Sequence, residues 1–257
     1  MSTDKITVNA VSYLNTKPFL YGLFKSPVAD LIDLKLDMPS VCAEKLTRGE
    51  AQLGLVPVAV IPHLEKAHLV SNYCIGCEGA VRTVCVYADQ PLESLETLYL
   101  DYQSRTSVRL LQILLDDHWQ RKITLLPAKP GFEARIGGKT GALVIGDRCI
   151  DLEKRHAYRY DLGEAWYEHT GLPFVFAAWV ATAPLEPEFE QMFNAALKKG
   201  IEDIPQLVYI LPQPAAHFDL KAYLTKNIQY HLDEPKKQAL GKFLQALAPE
   251  KGILQMR

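Results

Sequence analysis

Leu53-Gly54-Leu55-Val56-Pro57-Val58 carries no polar side chain. A strand with one wet face alternates apolar with polar residues, so an unbroken apolar run of this length belongs in a sheet covered on both faces. Helices supply such cover, and the surrounding sequence offers them in alternation. Lys5 to Val11 sets Ile6, Val8 and Ala10 against Thr7 and Asn9; Pro18, tolerated in a first helical turn, then precedes Leu20, Leu23 and Phe24 at helical spacing. Asp30 to Leu36 reads as a second strand, and Pro39-Ser40 opens a helix that stops at Gly49. The 53–58 run leads into a short helix ending near His63. Strand and helix in turn predict an α/β fold. A chain of 257 residues can bury one large core or two modest ones.

The middle of the chain changes character. Gly76 to Gly79 reads as a loop, and Val81 to Tyr87 then alternates as one long strand; a similar run follows at Phe174 to Val180. Between them lie strands at 97–100, 123–126 and 141–145 and a helix at 105–118. Two crossing strands around an inserted α/β block predict two lobes. Residues 1–82 and 180–257 form the first, discontinuous lobe, and 83–179 the second, with the ligand cleft between them. From Pro187 onward the pattern is mostly helical, with stripes at Phe189, Met192, Phe193, Ala196 and Leu197 and at Ala239, Leu240, Phe243, Leu244 and Leu247. A stripe of this kind is a packing face, and no chemistry is assigned to it.

The chain has 28 basic and 30 acidic residues and a net charge of -2. That balance lacks the basic excess of a nucleic-acid or anionic-membrane partner and leaves a small molecule as the expected one. No stretch approaches the roughly 20 apolar residues of a membrane span. The opening Met-Ser-Thr-Asp-Lys runs into a strand pattern without a signal-peptide apolar segment, so a cytoplasmic location is expected. The five cysteines, Cys42, Cys74, Cys77, Cys85 and Cys149, are an odd and scattered set suited to reduced thiols. Cys74-Ile75-Gly76-Cys77 is formally a CxxC motif. With only His63 and His68 nearby and no second CxxC or HxxxH, it predicts no metal site. Gly137-Gly138-Lys139-Thr140 lacks the spacing of a phosphate-binding loop, and neither a dinucleotide fingerprint nor a nucleophile elbow is present.

Three places carry candidate chemistry. At Ser12-Tyr13-Leu14-Asn15-Thr16 a strand stops and a helix starts, which leaves unpaired backbone donors and small polar side chains in one place, a setting suited to an anion. At Ser104, Thr106 and Ser107, hydroxyls crowd the start of the next long helix. One cap needs one hydroxyl, so the surplus points to a carboxylate or phosphate. At Gly146-Asp147 an apolar strand ends where ligand crevices of open α/β sheets lie. Asp147 either faces ligand or caps the helix through Ile150 and Leu152. Thr83, in the first crossing strand, either lines the cleft or packs.

Several blocks then occur in order between about residues 5 and 180. They are Ser12 to Asn15 with Pro18, Gly76-Cys77-Glu78-Gly79 with Val81 and Val84, Leu100-Asp101 with Ser104, Thr106 and Ser107, Ile145-Gly146-Asp147, and Asp161-Leu162-Gly163 with Trp166 and Thr170 to Ala177. Together they resemble the chorismate dehydratases of the futalosine route to menaquinone. The resemblance implies a two-lobed fold like that of type II periplasmic binding proteins and loss of water from chorismate without a metal or organic cofactor. It places Asn15 and Asp147 as catalytic, and Ser12, Tyr13, Thr83, Ser104, Thr106, Ser107 and Gly146 around the substrate. The family has Ser at position 83, where this chain has Thr. Beyond Pro184 the likeness is loose. A solute-binding protein of the same fold, and the sister enzyme that makes a dihydroxynaphthoate, are the alternatives. On this implied reaction neither Asn15 nor a Ser hydroxyl is basic enough to take the ring proton. That leaves Asp147 or the substrate's own side-chain carboxylate.

Overall fold

A computed structural model describes residues 5–247. The expected α/β architecture is present as two sheets. The first has strand order β11-β4-β10-β3-β1-β2 and the second β7-β6-β8-β5-β9.

In the first sheet β1 (Ile6–Val11) lies parallel to both β2 (Ile32–Asp37) and β3 (Leu53–Pro57). β4 (His68–Cys77), β10 (Phe174–Ala181) and β11 (Gln229–His231) add antiparallel neighbours on the far side of β3. The wholly apolar β3 is buried along its length, as its sequence demands. α1 (Lys17–Phe24) and α2 (Pro39–Thr47) follow β1 and β2, with Pro in the first turn of each. α1 packs on α6 (Pro187–Glu202) backbone to backbone: a Cβ added at Gly22 would meet the Ala196 carbonyl oxygen, and one at Gly200 that of Pro18. The close approach fixes α1, and with it the turn that precedes it.

The second sheet repeats the plan. β6 (Thr97–Leu100) lies between β7 (Thr124–Pro127) and β8 (Thr140–Ile145), parallel to both, and β5 (Val84–Ala88) and β9 (Tyr158–Asp161) complete it antiparallel. α3 (Arg105–Ile113) follows β6, α4 (Arg148–Leu152) follows β8 and α5 (Leu162–Thr170) follows β9. In each sheet the earliest parallel strand lies between two later ones. The turns after β1 and β6 are therefore topological switch points, where open α/β sheets place ligands. These are the turns at Ser12–Thr16 and Asp101–Ser107.

The remaining helices are α7 (Ile204–Ile210), the short α8 (Leu220–Ala222) and α9 (Glu234–Leu247). Aromatic side chains bind this region to the first sheet: Phe193 meets Trp179 edge to face, and Phe243 does the same with Phe174 and Trp166. No described helix is long and apolar enough to cross a membrane.

The crossings differ from expectation. Gly76 and Cys77 belong to β4 rather than to a loop. The strand expected over Val81–Tyr87 begins only at Val84, because Arg82 takes a left-handed backbone (φ 66°) that breaks extension. The run at Phe174–Val180 is no crossing at all: β10 pairs with β3 and β4 inside the first sheet. The chain returns to the first lobe through α5, so the second lobe's sheet ends at Asp161 rather than near residue 179. Buried Asp161 joins the two crossings. Its carboxylate accepts N–H bonds from Val81 (3.1 Å) and Arg82 (2.6 Å) on the way out, and from Gly163 (2.9 Å) and Glu164 (3.2 Å) on the way back.

Candidate active site between the lobes

The two switch-point turns face one cavity. Its wall is Val11, Tyr13, Asn15, Thr16, Pro39, Leu55, Pro57, Ile75 and Phe176-Ala177 from the first lobe. Val81, Thr83 and Val84 come from the crossing, and Ser104, Thr106, Ser107, Ile145 and Gly146 from the second lobe. Seven of the nine residues expected from sequence are among these. Ser12 is not: it is exposed and lies outside the lining. Asp147 is not in the wall either, and it does something the sequence did not suggest.

Asp147 makes no side-chain cap to α4. Its carboxylate reaches across the cleft and accepts the Leu14 N–H, with both oxygens at 3.2 and 3.3 Å. The first residue of the turn Leu14–Thr16 thus has its free donor met by an internal carboxylate. Burial raises the Asp147 pKa above its usual value, while the Leu14 N–H and Lys17 act in the opposite sense.

The hydroxyls at α3 divide their tasks. Ser104 is the cap: its Oγ accepts the Ser107 N–H at 3.0 Å, and its O–H donates to Ser107 Oγ at 2.9 Å. Thr106 Oγ1 accepts the Ala59 N–H of the first lobe at 3.2 Å. Thr106 and Ser107 therefore act as acceptors in these bonds, and each keeps its own O–H proton for the cavity. At the positive end of α3, two hydroxyl donors are left facing the cavity, an arrangement chemically suited to a carboxylate.

Tyr13 and Gly146 close the cleft from opposite lobes. The Tyr13 O–H donates to Gln103 Oε1, whose amide nitrogen donates to Tyr102 at 2.9 Å. Gln103 is held in turn by buried Asp101, which accepts the Gln103 N–H (3.0 Å), the Ile145 N–H (2.9 Å) and a guanidinium N–H of Arg148. This carboxylate ties the β6–α3 turn to the end of β8 and so sets the distance between Ser104 and Gly146. Burial raises the Tyr13 pKa, so its phenol stays protonated at neutral pH. Asn15 accepts the Thr16 O–H at its side-chain oxygen (3.1 Å) and the Tyr230 O–H at its main-chain carbonyl (3.0 Å). Thr83, fully buried, bonds the Tyr223 hydroxyl at 2.8 Å.

No lysine, arginine, histidine or carboxylate lines the cavity among the described residues. Nor do they contain three or more His, Cys, Asp or Glu placed to hold a metal ion. Cys74 and Cys77 are buried in β4, and burial raises both thiols, that of Cys74 to about 12.

The family described as "Menaquinone biosynthesis" matches residues 6–249. The chain belongs to that family. The match takes in the C-terminal helices, where the motifs of the first subsection end. Among the curated relatives, a chorismate dehydratase of Thermus thermophilus is 28% identical over 238 residues, 82% of this chain and 84% of the relative. A chorismate dehydratase of Campylobacter jejuni is 26% identical over 164 residues, 60% of this chain and 71% of the relative. The chain has a periplasmic-binding-protein-like fold. A solved Archaeoglobus fulgidus protein matches at TM-score 0.75 and 14% identity, over 95% of this chain and 97% of that one. The alkanesulfonate-binding protein of Xanthomonas axonopodis matches at TM-score 0.61 and 13% identity, over 94% and 90%.

The α3 hydroxyls give a first expected result. Thr106→Val and Ser107→Ala each lower kcat/KM by roughly 10- to 100-fold, the effect of losing one hydrogen bond to a charged group at about 1.5–3 kcal/mol. Ser104→Ala acts differently, lowering thermal stability through the lost cap by about 1 kcal/mol. Steady-state kinetics beside thermal melts separate the two. Parent-like kinetics in both the Thr106 and Ser107 variants would show that these hydroxyls hold no anion.

Proposed function

We propose that this protein is a cofactor-independent carbon–oxygen lyase that removes water from chorismate, giving 3-[(1-carboxyvinyl)oxy]benzoate, in the futalosine route to menaquinone. One observation carries the reading: the cavity of a menaquinone-biosynthesis protein offers hydroxyl and amide donors among apolar walls, and no side chain able to serve as a base at neutral pH. Such a site fits a substrate that brings its own acids and its own latent aromaticity.

Chorismate's ring hydrogen beside the enolpyruvyl ether is the vinylogous α-hydrogen of the ring carboxylate. Its loss sends charge into that carboxylate; expulsion of the neighbouring hydroxyl then leaves an aromatic ring and one water. We place the ring carboxylate against the Thr106 and Ser107 O–H groups and the start of α3, where preorganised donors meet the charge as it develops. Asn15 and Thr83 hold the other end, and Val11, Leu55, Ile145 and Phe176 sandwich the ring. The proton goes to the substrate's enolpyruvyl carboxylate and from there to the departing hydroxyl, which leaves as water. Surrounded by apolar walls and without a cation, that carboxylate is a stronger base than in water.

The cavity encloses about 60 Å³, too little for a cyclohexadiene bearing two carboxylates. The lobes therefore part to admit substrate, and the bonds that break are Tyr13 to Gln103, Leu14 to Asp147 and Ala59 to Thr106.

Purified protein incubated with chorismate is expected to yield a product lighter by one water, and to do so unchanged after dialysis against chelator. A protein that binds chorismate without the mass loss, or that converts a cyclised futalosine product instead, belongs to one of the alternatives. Activity abolished by chelation and restored by one divalent metal would end the cofactor-independent reading.

A further inference from the structure

The C-terminal third of the chain carries no motif, yet it reaches the centre of the site. α8 does not stop at Ala222 but continues as a π-helical turn over Tyr223–Asn227, a wide-turn geometry frequent at functional sites. The turn sets the Tyr223 ring against Phe218 and buries it completely, with its hydroxyl 2.8 Å from Thr83 Oγ1. Phenylalanine would fill the same space. A wholly buried hydroxyl needs a partner to offset its desolvation, so its presence here rests on the bond it makes.

The partner matters because of where Thr83 sits. It lines the cavity, and it follows Arg82, whose left-handed backbone turns the chain from one lobe to the other. Its main-chain carbonyl accepts the Gly146 N–H at 2.9 Å, so Thr83 also touches the end of β8. A hydroxyl has one proton to give. If the Tyr223 O–H donates to Thr83 Oγ1, the Thr83 proton is free for the cavity; if Thr83 donates to Tyr223, the cavity loses that donor. Burial, with the nearby Asp147 charge, raises the Tyr223 pKa, so the phenol keeps a proton to give, and the 2.8 Å contact with Thr83 Oγ1 is within reach of it. Tyr230 reinforces the arrangement by donating to the Asn15 carbonyl at 3.0 Å. Two tyrosines from a region without chemistry of its own thus hold two residues of the cavity wall, Thr83 and Asn15.

We propose that Tyr223 is a positioning residue for the dehydration: it donates to Thr83 Oγ1, so that the Thr83 O–H points its proton at the substrate hydroxyl that departs. This rests on the chorismate reading above. The departing hydroxyl takes up the ring proton held by the enolpyruvyl carboxyl group and leaves as water, while the Thr83 O–H keeps its own proton and stabilises the charge developing on that oxygen, so losing this oriented donor lowers kcat rather than affinity.

The test is a cycle of Tyr223→Phe and Thr83→Val in the full chain, with chorismate as substrate. Tyr223→Phe is expected to lower kcat about 10-fold with KM within threefold of the parent and a melting temperature within a few degrees. In the Thr83→Val background the same change is expected to do nothing further, because the tyrosine acts through the threonine hydroxyl. In Thr83→Ser, which keeps that hydroxyl, the roughly 10-fold loss returns. If Thr83→Val does not fold, Thr83→Ala takes its place in the cycle. A Tyr223→Phe enzyme with parent kcat, or single effects that multiply in the double variant, overturns the proposal. A parent protein that leaves chorismate intact fails the function reading instead, and is distinguished before any variant is made.

Discussion

Gly146→Ala is expected to lower kcat/KM for chorismate by about 100-fold or more while the protein still folds. Two separate demands fall on this glycine. Its φ of 70° is left-handed, where an L side chain costs about 1–2 kcal/mol. A Cβ there would lie 2.8 Å from Tyr13 Cζ and 3.0 Å from both Cε atoms. The ring cannot give way freely, because its hydroxyl is tied to Gln103 across the cleft. The added methyl therefore wedges the lobes apart where they have to meet, and a misplacement of about 1 Å at a reacting centre costs on the order of 10²-fold. Gly138→Ala is the control. That glycine also has a positive φ, 54°, but a Cβ on it would touch nothing within 4 Å. It carries the backbone cost without the wedge, so its kcat/KM is expected within twofold of the parent. Equal kinetics in the two variants would show that the Tyr13–Gly146 contact does not govern closure.

The architecture was legible because it depends on patterns that are themselves local. The apolar 53–58 run demanded a two-sided sheet, and β3 is buried along its length between β1 and β10. The surplus of hydroxyls at 104–107 was legible as well: one cap uses one hydroxyl, and Thr106 and Ser107 keep theirs at the cavity wall. What escaped depends on tertiary choices. Nothing in Val81-Arg82-Thr83 announces that an arginine will adopt a left-handed backbone; the buried carboxylate of Asp161, some 80 residues on, holds it there. The second crossing was misplaced because the apolar run that forms β10 reads the same whether it pairs inside one sheet or passes between two. Asp147 was weighed as a ligand-facing group or a cap for its own helix, and it serves the opposite lobe, a third role that only juxtaposition reveals. Tyr223 and Tyr230 lie between the two C-terminal apolar stripes, in a stretch that carries no motif. Their signal was present nonetheless, in a tyrosine occupying each fully buried place where a phenylalanine would pack as well.

The identity of the base gives the second large effect. Replacing the enolpyruvyl carboxylate of chorismate by its amide is expected to slow exchange of the ring hydrogen by about 10²- to 10⁴-fold, the usual contribution of a positioned acid or base. Asp147→Asn, by contrast, is expected to keep that exchange within about 10-fold of the parent, the size of one altered hydrogen bond. The difference follows from where each carboxylate lies. Both Asp147 oxygens share the one Leu14 N–H, and Asp147 is outside the cavity wall. An Asn oxygen accepts the same N–H, so closure survives the change. The pKa of Asp147 is raised, but burial in the lobe interface is the chief cause, and a bound dianion adds to the same direction. A raised pKa brings a carboxylate nearer to useful basicity, yet it does not bring it nearer to the ring. The substrate carboxylate is attached one ether bond from the carbon that loses its proton, which makes the transfer intramolecular and gains the advantage of proximity. Hydrogen exchange measured on bound chorismate and on the amide, with binding of each verified by calorimetry, separates the two bases. A dead Asp147→Asn that binds chorismate normally, together with an amide that still exchanges, would make Asp147 the base and require the lobes to close differently around it.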